Sequence, residues 1–191
     1  MNYGITADKV GTRGYFDAAV DNKCRLLKAE VSELANNNTV IDLTYVTEDG
    51  LCTQLQRIFP VNASNLTPRQ GQTFDEMEAE LVKNFNTKLR HIATKFNLSE
   101  EDFAKIDGSS FEALAKSYCS MLNRGIAKDS PLLYLKTYTD KAGYTKVSDS
   151  VPFLQKVDTG ECTLKWTSKE TASMGAAAVP NGVHAKEITS I

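Results

Sequence analysis

Three consecutive segments decide the fold: Lys23-Cys-Arg-Leu-Leu-Lys-Ala-Glu-Val-Ser32, Thr39-Val-Ile-Asp-Leu-Thr-Tyr-Val46 and Leu51-Cys-Thr-Gln-Leu-Gln-Arg-Ile-Phe59. The first alternates, with Leu27, Ala29 and Val31 on one side and Lys28 and Glu30 on the other. A period of two marks a half-buried strand. The second is rich in β-branched residues, which suit a pleated surface. Asn36-Asn37-Asn38 supplies the first turn, because Asn tolerates positive φ and bonds its own backbone. Glu48-Asp49-Gly50 supplies a hairpin turn of the Asp-Gly type. Pro60 ends the third strand by removing a ladder donor. Two tight turns joining three strands predict an antiparallel meander near 23–34, 39–46 and 51–59.

Beyond Pro60 a polar loop runs to Gln72, and the period then changes. Phe74, Met77, Leu81, Phe85, Leu89, Ile92 and Phe96 recur every three or four residues, the stripe of an amphipathic helix. Thr73 with Glu76 forms a capping box at its start. Ser99 with Asp102 opens a short helix, which Asp107-Gly108 breaks. Ser109 with Glu112 opens a third, with Phe111, Leu114, Ala115, Tyr118 and Leu122 on one face and Gly125 at a C-cap position. A helical block over 73–124 thus interrupts a β pattern. The stripe is expected to pack on the sheet through Phe74, Met77, Leu81, Phe85 and Leu89.

Strands return near 131–139 and 143–148, joined by the turn Asp140-Lys-Ala-Gly143. Val151–Val157 and Cys162–Trp166 are weaker strand candidates. The expected organisation is an N-terminal arm over 1–22, one domain over 23–166 and a flexible tail over 167–191.

The chain has 191 residues, 41% apolar and 24% charged, with a net charge of -2. That suits one soluble domain and excludes a histone-like basic protein. No run of apolar residues is long enough to cross a membrane, and the N-terminus lacks a basic region followed by an apolar core. A cytoplasmic protein without a membrane partner is expected. Cys24, Cys52, Cys119 and Cys162 lie far apart with no C-x-x-C pair, so neither a metal site nor a disulfide framework is indicated.

The residues of catalysis are sparse. His91 sits beside the helical stripe and His184 in the tail, neither with a nucleophile beside it. No G-x-S-x-G elbow and no Gly-rich phosphate loop occurs. Glu100-Glu101-Asp102 fits the first turn of a helix better than a metal site. The sequence reads as non-enzymatic and without a cofactor.

The chemistry lies in 134–166. Tyr134, Lys136 and Tyr138 share one strand face, and Tyr144 and Lys146 share a face of its partner. Lys141 sits at the turn, and Trp166 follows. Flat rings beside cations suit single-stranded nucleic acid, since rings stack on bases and cations follow phosphates. Arg57 on the third strand adds a cation, and Arg13, Tyr15, Phe16 and Arg69 add weaker contacts.

Three meandering strands, a helical insertion and a β-hairpin follow the plan of an OB-fold, a five-stranded barrel with a helix between its third and fourth strands. The segments Lys23 to Val31, Thr39 to Phe59, and Leu133-Tyr-Leu-Lys-Thr-Tyr-Thr-Asp-Lys-Ala-Gly-Tyr144 resemble the single-stranded DNA-binding proteins of tailed bacteriophages, over about 20–157. The resemblance implies a protein that coats single-stranded DNA during phage replication or recombination, with phage replication proteins as partners. Stacking then falls to Tyr134, Tyr138, Tyr144 and Trp166, and phosphate contact to Lys136, Lys141, Lys146 and Arg57. The ending Glu187-Ile-Thr-Ser-Ile191 departs from the acidic tail that recruits partners in such proteins. The other reading is a β-rich structural or protein-interaction module, such as a virion accessory or host-takeover protein. There the same aromatics form a protein contact.

Overall fold

A computed structural model describes residues 14–64 and 66–176. The meander is present as β1 (Asn22–Glu33), β2 (Thr39–Thr47) and β3 (Thr53–Ile58). β2 pairs antiparallel with both β1 and β3. The first turn places Asn37 at φ 59°, and the second places Gly50 at φ 76°, both left-handed, as the turn chemistry requires. Register slips between Leu26 and Lys28, where a bulge turns Leu27 outward at 55% exposure. The expected inward row of Leu27, Ala29 and Val31 is thereby corrected. Cys24, Leu26 and Ala29 fill the core, and one extra residue flips the side on which Leu27 falls.

Between β3 and the next strand lie α1 (Phe74–Ala93), a 3-10 turn (Thr94–Phe96), α2 (Glu100–Phe103) and α3 (Phe111–Lys128). Thr73 and Glu76 close the expected capping box of α1, and Ser99 and Asp102 that of α2. α3 is capped by Ser110 instead of Ser109. It also runs through Gly125, which does not cap it. A Cβ at Gly125 would lie 3.1 Å from the Cβ of Phe96, so the glycine lets α3 cross the 3-10 turn closely. The α1 stripe divides. Leu89, Ile92, Ala93 and Phe96 enter the core, whereas Phe74 is 47% exposed and Leu81 and Phe85 are half-buried. Phe85 meets Phe111 of α3, with ring centroids 6.1 Å apart.

The expected strand over 131–139 is two strands. β4 (Leu133–Leu135) pairs with β1, and β5 (Thr137–Thr139) pairs with β6 (Thr145–Val147). β7 (Leu154–Lys156) joins the outer side of β4. The result is a five-stranded antiparallel sheet in the order β3-β2-β1-β4-β7 and a separate two-stranded sheet β5-β6. The four α-helices hold more residues than the seven strands, so the class is mixed α and β, correcting the mainly-β expectation. The ladders among the described strands do not close into one barrel. The physical reason lies at Lys136. Its N–H bonds Phe153 O at 2.9 Å and its carbonyl accepts from Ser148 N at 3.0 Å, so the chain leaves one sheet and enters the other there.

Cys162–Trp166 forms no strand. The segment expected to begin a flexible tail instead forms α4 (Ser168–Ala176) against β5. The rest of that expected tail, with His184, lies outside the described residues, as does Arg13 of the arm. The described part of the arm is tied down. Gly14 bridges Cys52, Phe16 is buried, and Ala19 O accepts from Thr137 N at 2.8 Å.

Candidate nucleic-acid interface

The β5–β6 hairpin turns on Asp140. Its Oδ1 accepts from the N–H groups of Ala142 (2.9 Å) and Tyr144 (3.0 Å), and Gly143 takes φ 88°. This side-chain-to-backbone turn holds Tyr144 outward at 69% exposure. Lys141 is exposed at the tip. Tyr138 faces Lys146 across the ladder. Lys146 Nζ reaches Asp140 Oδ2 at 2.6 Å. That hydrogen bond holds the Asp140 carboxyl below its ordinary range and raises the Lys146 ammonium. Partial burial raises the Tyr138 phenol, and the carboxylate of Asp149 adds to it.

Opposite the hairpin stands the outer face of β3, where Leu55 and Phe59 are 46% and 52% exposed. Arg57 between them makes a two-pronged contact with Asp42, at 2.8 and 3.0 Å. Burial pushes the Asp42 carboxyl up, but hydrogen bonds from Arg57 and Ser32 and the Arg57 charge outweigh it. A groove of about 550 Å³ runs between β3, α1 and β6. Arg57, Lys88 and Lys146 supply its cations, and Leu55, Phe59 and Phe85 its apolar surface. Lys88 of α1 pairs with Asp149 at 2.5 Å. Every cation of the groove therefore carries an aspartate, which a ligand anion must displace. The Lys88–Asp149 and Lys146–Asp140 pairs, each with one solvent-exposed member, hold by only about 0–1 kcal/mol, whereas Asp42 is nearly buried and keeps Arg57 in place.

The structure thus brings together Tyr138, Tyr144, Lys146 and, across the groove, Arg57, with Lys141 at the hairpin tip. It separates the other expected contacts. Tyr134 lies on the five-stranded sheet, between Lys23 of β1 and Gln155 of β7. Trp166 is half-buried, its indole N–H donating to Thr137 O at 2.9 Å. Lys136, expected to face outward with Tyr134 and Tyr138, is 1% exposed. The bend that divides β4 from β5 turns its side chain inward, beneath α4. The expectation of one contiguous Tyr134–Lys136–Tyr138 face is corrected accordingly.

Sequence reasoning missed Leu55, Phe59 and Lys88. The alternation Leu55-Gln56-Arg57-Ile58-Phe59 carried the signal for the first two, since Gln56 and Ile58 are the buried members. Lys88 adjoins the stripe residue Leu89 and carried none. Among the described residues no cluster of His, Cys, Asp or Glu suits a metal ion, and no helix is long and apolar enough to cross a membrane. No family model, curated protein or solved structure matches the chain.

Proposed function

We propose that this chain is a non-enzymatic protein that binds single-stranded DNA, of the kind that serves phage replication or recombination, on an OB-like plan. The observation that carries the reading is the groove between β3, α1 and β6, which joins apolar and aromatic surface to three cations in one extended channel. Unpaired bases offer flat apolar faces, and their backbone offers evenly spaced phosphates. The exposed ring of Tyr144 and the half-exposed ring of Tyr138 extend the stacking surface beyond the groove. The OB-like plan draws support from β3 lying beside β6, where Gln54 Nε2 donates to Thr145 O at 3.3 Å.

Fluorescence-anisotropy titration with labelled poly-dT, beside a duplex of equal length, tests the reading at two salt concentrations. Arg57 is held by a nearly buried aspartate, so Lys88, Lys141 and Lys146 are the cations free to exchange partners. Three contacts at about 0.7 each predict a log–log salt slope near −2 on single strands. Absence of binding at low salt, or equal affinity for duplex, refutes it.

One observation favours the protein-interaction reading. β3 is the edge of the five-stranded sheet, and Leu51, Leu55 and Phe59 along it are all exposed. An apolar edge of this kind also fits a protein partner. That reading expects no affinity for poly-dT.

A further inference from the structure

The side chain that sequence pattern assigns to a phosphate contact, Lys136, already holds a carboxylate. Its ammonium donates to Lys165 O at 3.1 Å and lies 3.5 Å from Glu170 Oε2. Lys136 and Glu170 are 1% and 5% exposed. Glu170 is satisfied mainly by others, accepting from Ser148 Oγ through Oε1 and from Thr167 N at 2.7 Å through Oε2. A buried ammonium with three donors thus has a long contact to its countercharge. Short, direct contacts are what make charge-assisted bonds strong.

The element that delivers Glu170 is weakly held. α4 is nine residues long, a length that is marginal for an isolated helix. Of its side chains over 168–175, only Glu170 is buried. A polar pin therefore docks α4 on the root of the β5–β6 hairpin, with little apolar burial to reinforce it.

We infer that Lys136 and Ser148 form a covered binding site for a phosphate group, opened when α4 lifts, and that the Glu170 carboxylate occupies it in the closed form. The group comes either from a polynucleotide backbone or from a free phosphate compound. The first source rests on the single-stranded DNA reading, and the second does not. The site adjoins Tyr138, so a strand stacked on the hairpin would pass close to it.

The test titrates the full chain with tripolyphosphate and, separately, with an oligothymidylate, by calorimetry. Glu170→Gln keeps the side-chain shape but removes the competing charge, and is expected to tighten binding at least ten-fold. Adding Lys136→Met should abolish that gain. A gain with the oligothymidylate assigns the site to a strand backbone. A gain with tripolyphosphate alone assigns it to a free phosphate compound, even where the DNA reading has failed. No gain with either anion, or a gain that survives Lys136→Met, overturns the proposal. If Glu170→Gln does not fold, hydrogen exchange on the wild-type chain decides. Saturating tripolyphosphate or oligothymidylate should speed exchange of the α4 amides several-fold, and unchanged exchange with both overturns the proposal.

Discussion

Acidification from pH 6.5 to pH 5 is expected to destabilise the fold through one side chain, His91. Its Nε2 accepts hydrogen bonds from the backbone N–H groups of Phe153 (3.2 Å) and Leu154 (3.1 Å), and its ring meets Phe153 edge-on with centroids 4.9 Å apart. Protonation would turn that acceptor into a donor facing two donors. Burial, with the positive charges of Lys95 and Lys136, lowers the imidazole pKa from 6.5 to about 4. The folded value lies below the unfolded one. Stability is therefore fully present above pH 6.5 and is lost as pH falls towards 4. Where the unfolded chain holds one proton more, the slope is about 1.4 kcal/mol per pH unit. The unfolded imidazole is only half protonated at pH 6.5, so the interval from 6.5 to 5 gives about 1.5 kcal/mol, and about 1 kcal/mol after a discount for partial solvent access. Carboxylates bound in the fold, such as Asp42, Asp102 and Asp140, add losses only at lower pH, because their ordinary values are 3.8. Urea unfolding at pH 7, 6.5, 6, 5.5 and 5 measures the effect, with His91→Leu as reference. The variant is less stable at pH 7 but should show a flatter profile. A wild-type profile level across this range, or an equal slope in the variant, refutes the assignment.

Two phenylalanines should part company. Phe74→Ala should change stability by less than about 0.5 kcal/mol, whereas Phe153→Ala, at 0% exposure, should cost about 3–5 kcal/mol by thermal unfolding. Asn123 of α3 clamps Ala29 beside the β1 bulge, accepting from its N–H at 2.9 Å and donating to its carbonyl at 2.8 Å. Asn123→Ala should therefore cost about 1–3 kcal/mol and raise hydrogen exchange at the Ala29 amide; an unchanged amide would show that the clamp does not hold the strand. On the DNA reading, Tyr144→Ala should weaken poly-dT binding by roughly ten-fold at unchanged melting temperature, because the ring is exposed and stacks only on ligand. Wild-type affinity in that variant would remove Tyr144 from the interface.

The meander was legible because its signals are local. Alternation, Asn-rich and Asp-Gly turns and a terminating proline all act within a few residues, and β1 to β3 follow them closely. The helical block was legible for the same reason, through its caps and stripe. Long-range geometry was not. Nothing near Leu27 announces a bulge, which arises from pairing with β2. Nothing near Lys136 announces that Phe153 and Ser148 will take its backbone in two directions. The site suffers most, because a stacking face depends on which sheet each tyrosine joins. Lys146 and Arg57 line one groove, and Tyr138 pairs with Lys146 on the hairpin that carries Tyr144, since hairpin register and strand alternation are short-range properties. α4 escaped notice because its one fully buried side chain over 168–175 is a glutamate, with no apolar stripe to announce it.

The placement of β1 has a consequence for folding order. Its two neighbours lie at very different distances along the chain, β2 across a turn and β4 across the whole helical block. Loop-closure entropy makes the near pairing fast and the far one slow. A nascent chain forms the meander early and then holds one flank of β1 open until residues beyond 131 emerge and dock. During that interval Cys24 and Leu26 lack their cover from Leu133 and Leu135, and β1 is an unprotected edge. The charges at Lys23, Arg25 and Lys28 along its solvent side keep that edge soluble while it waits, the same device that protects permanent edges in finished sheets.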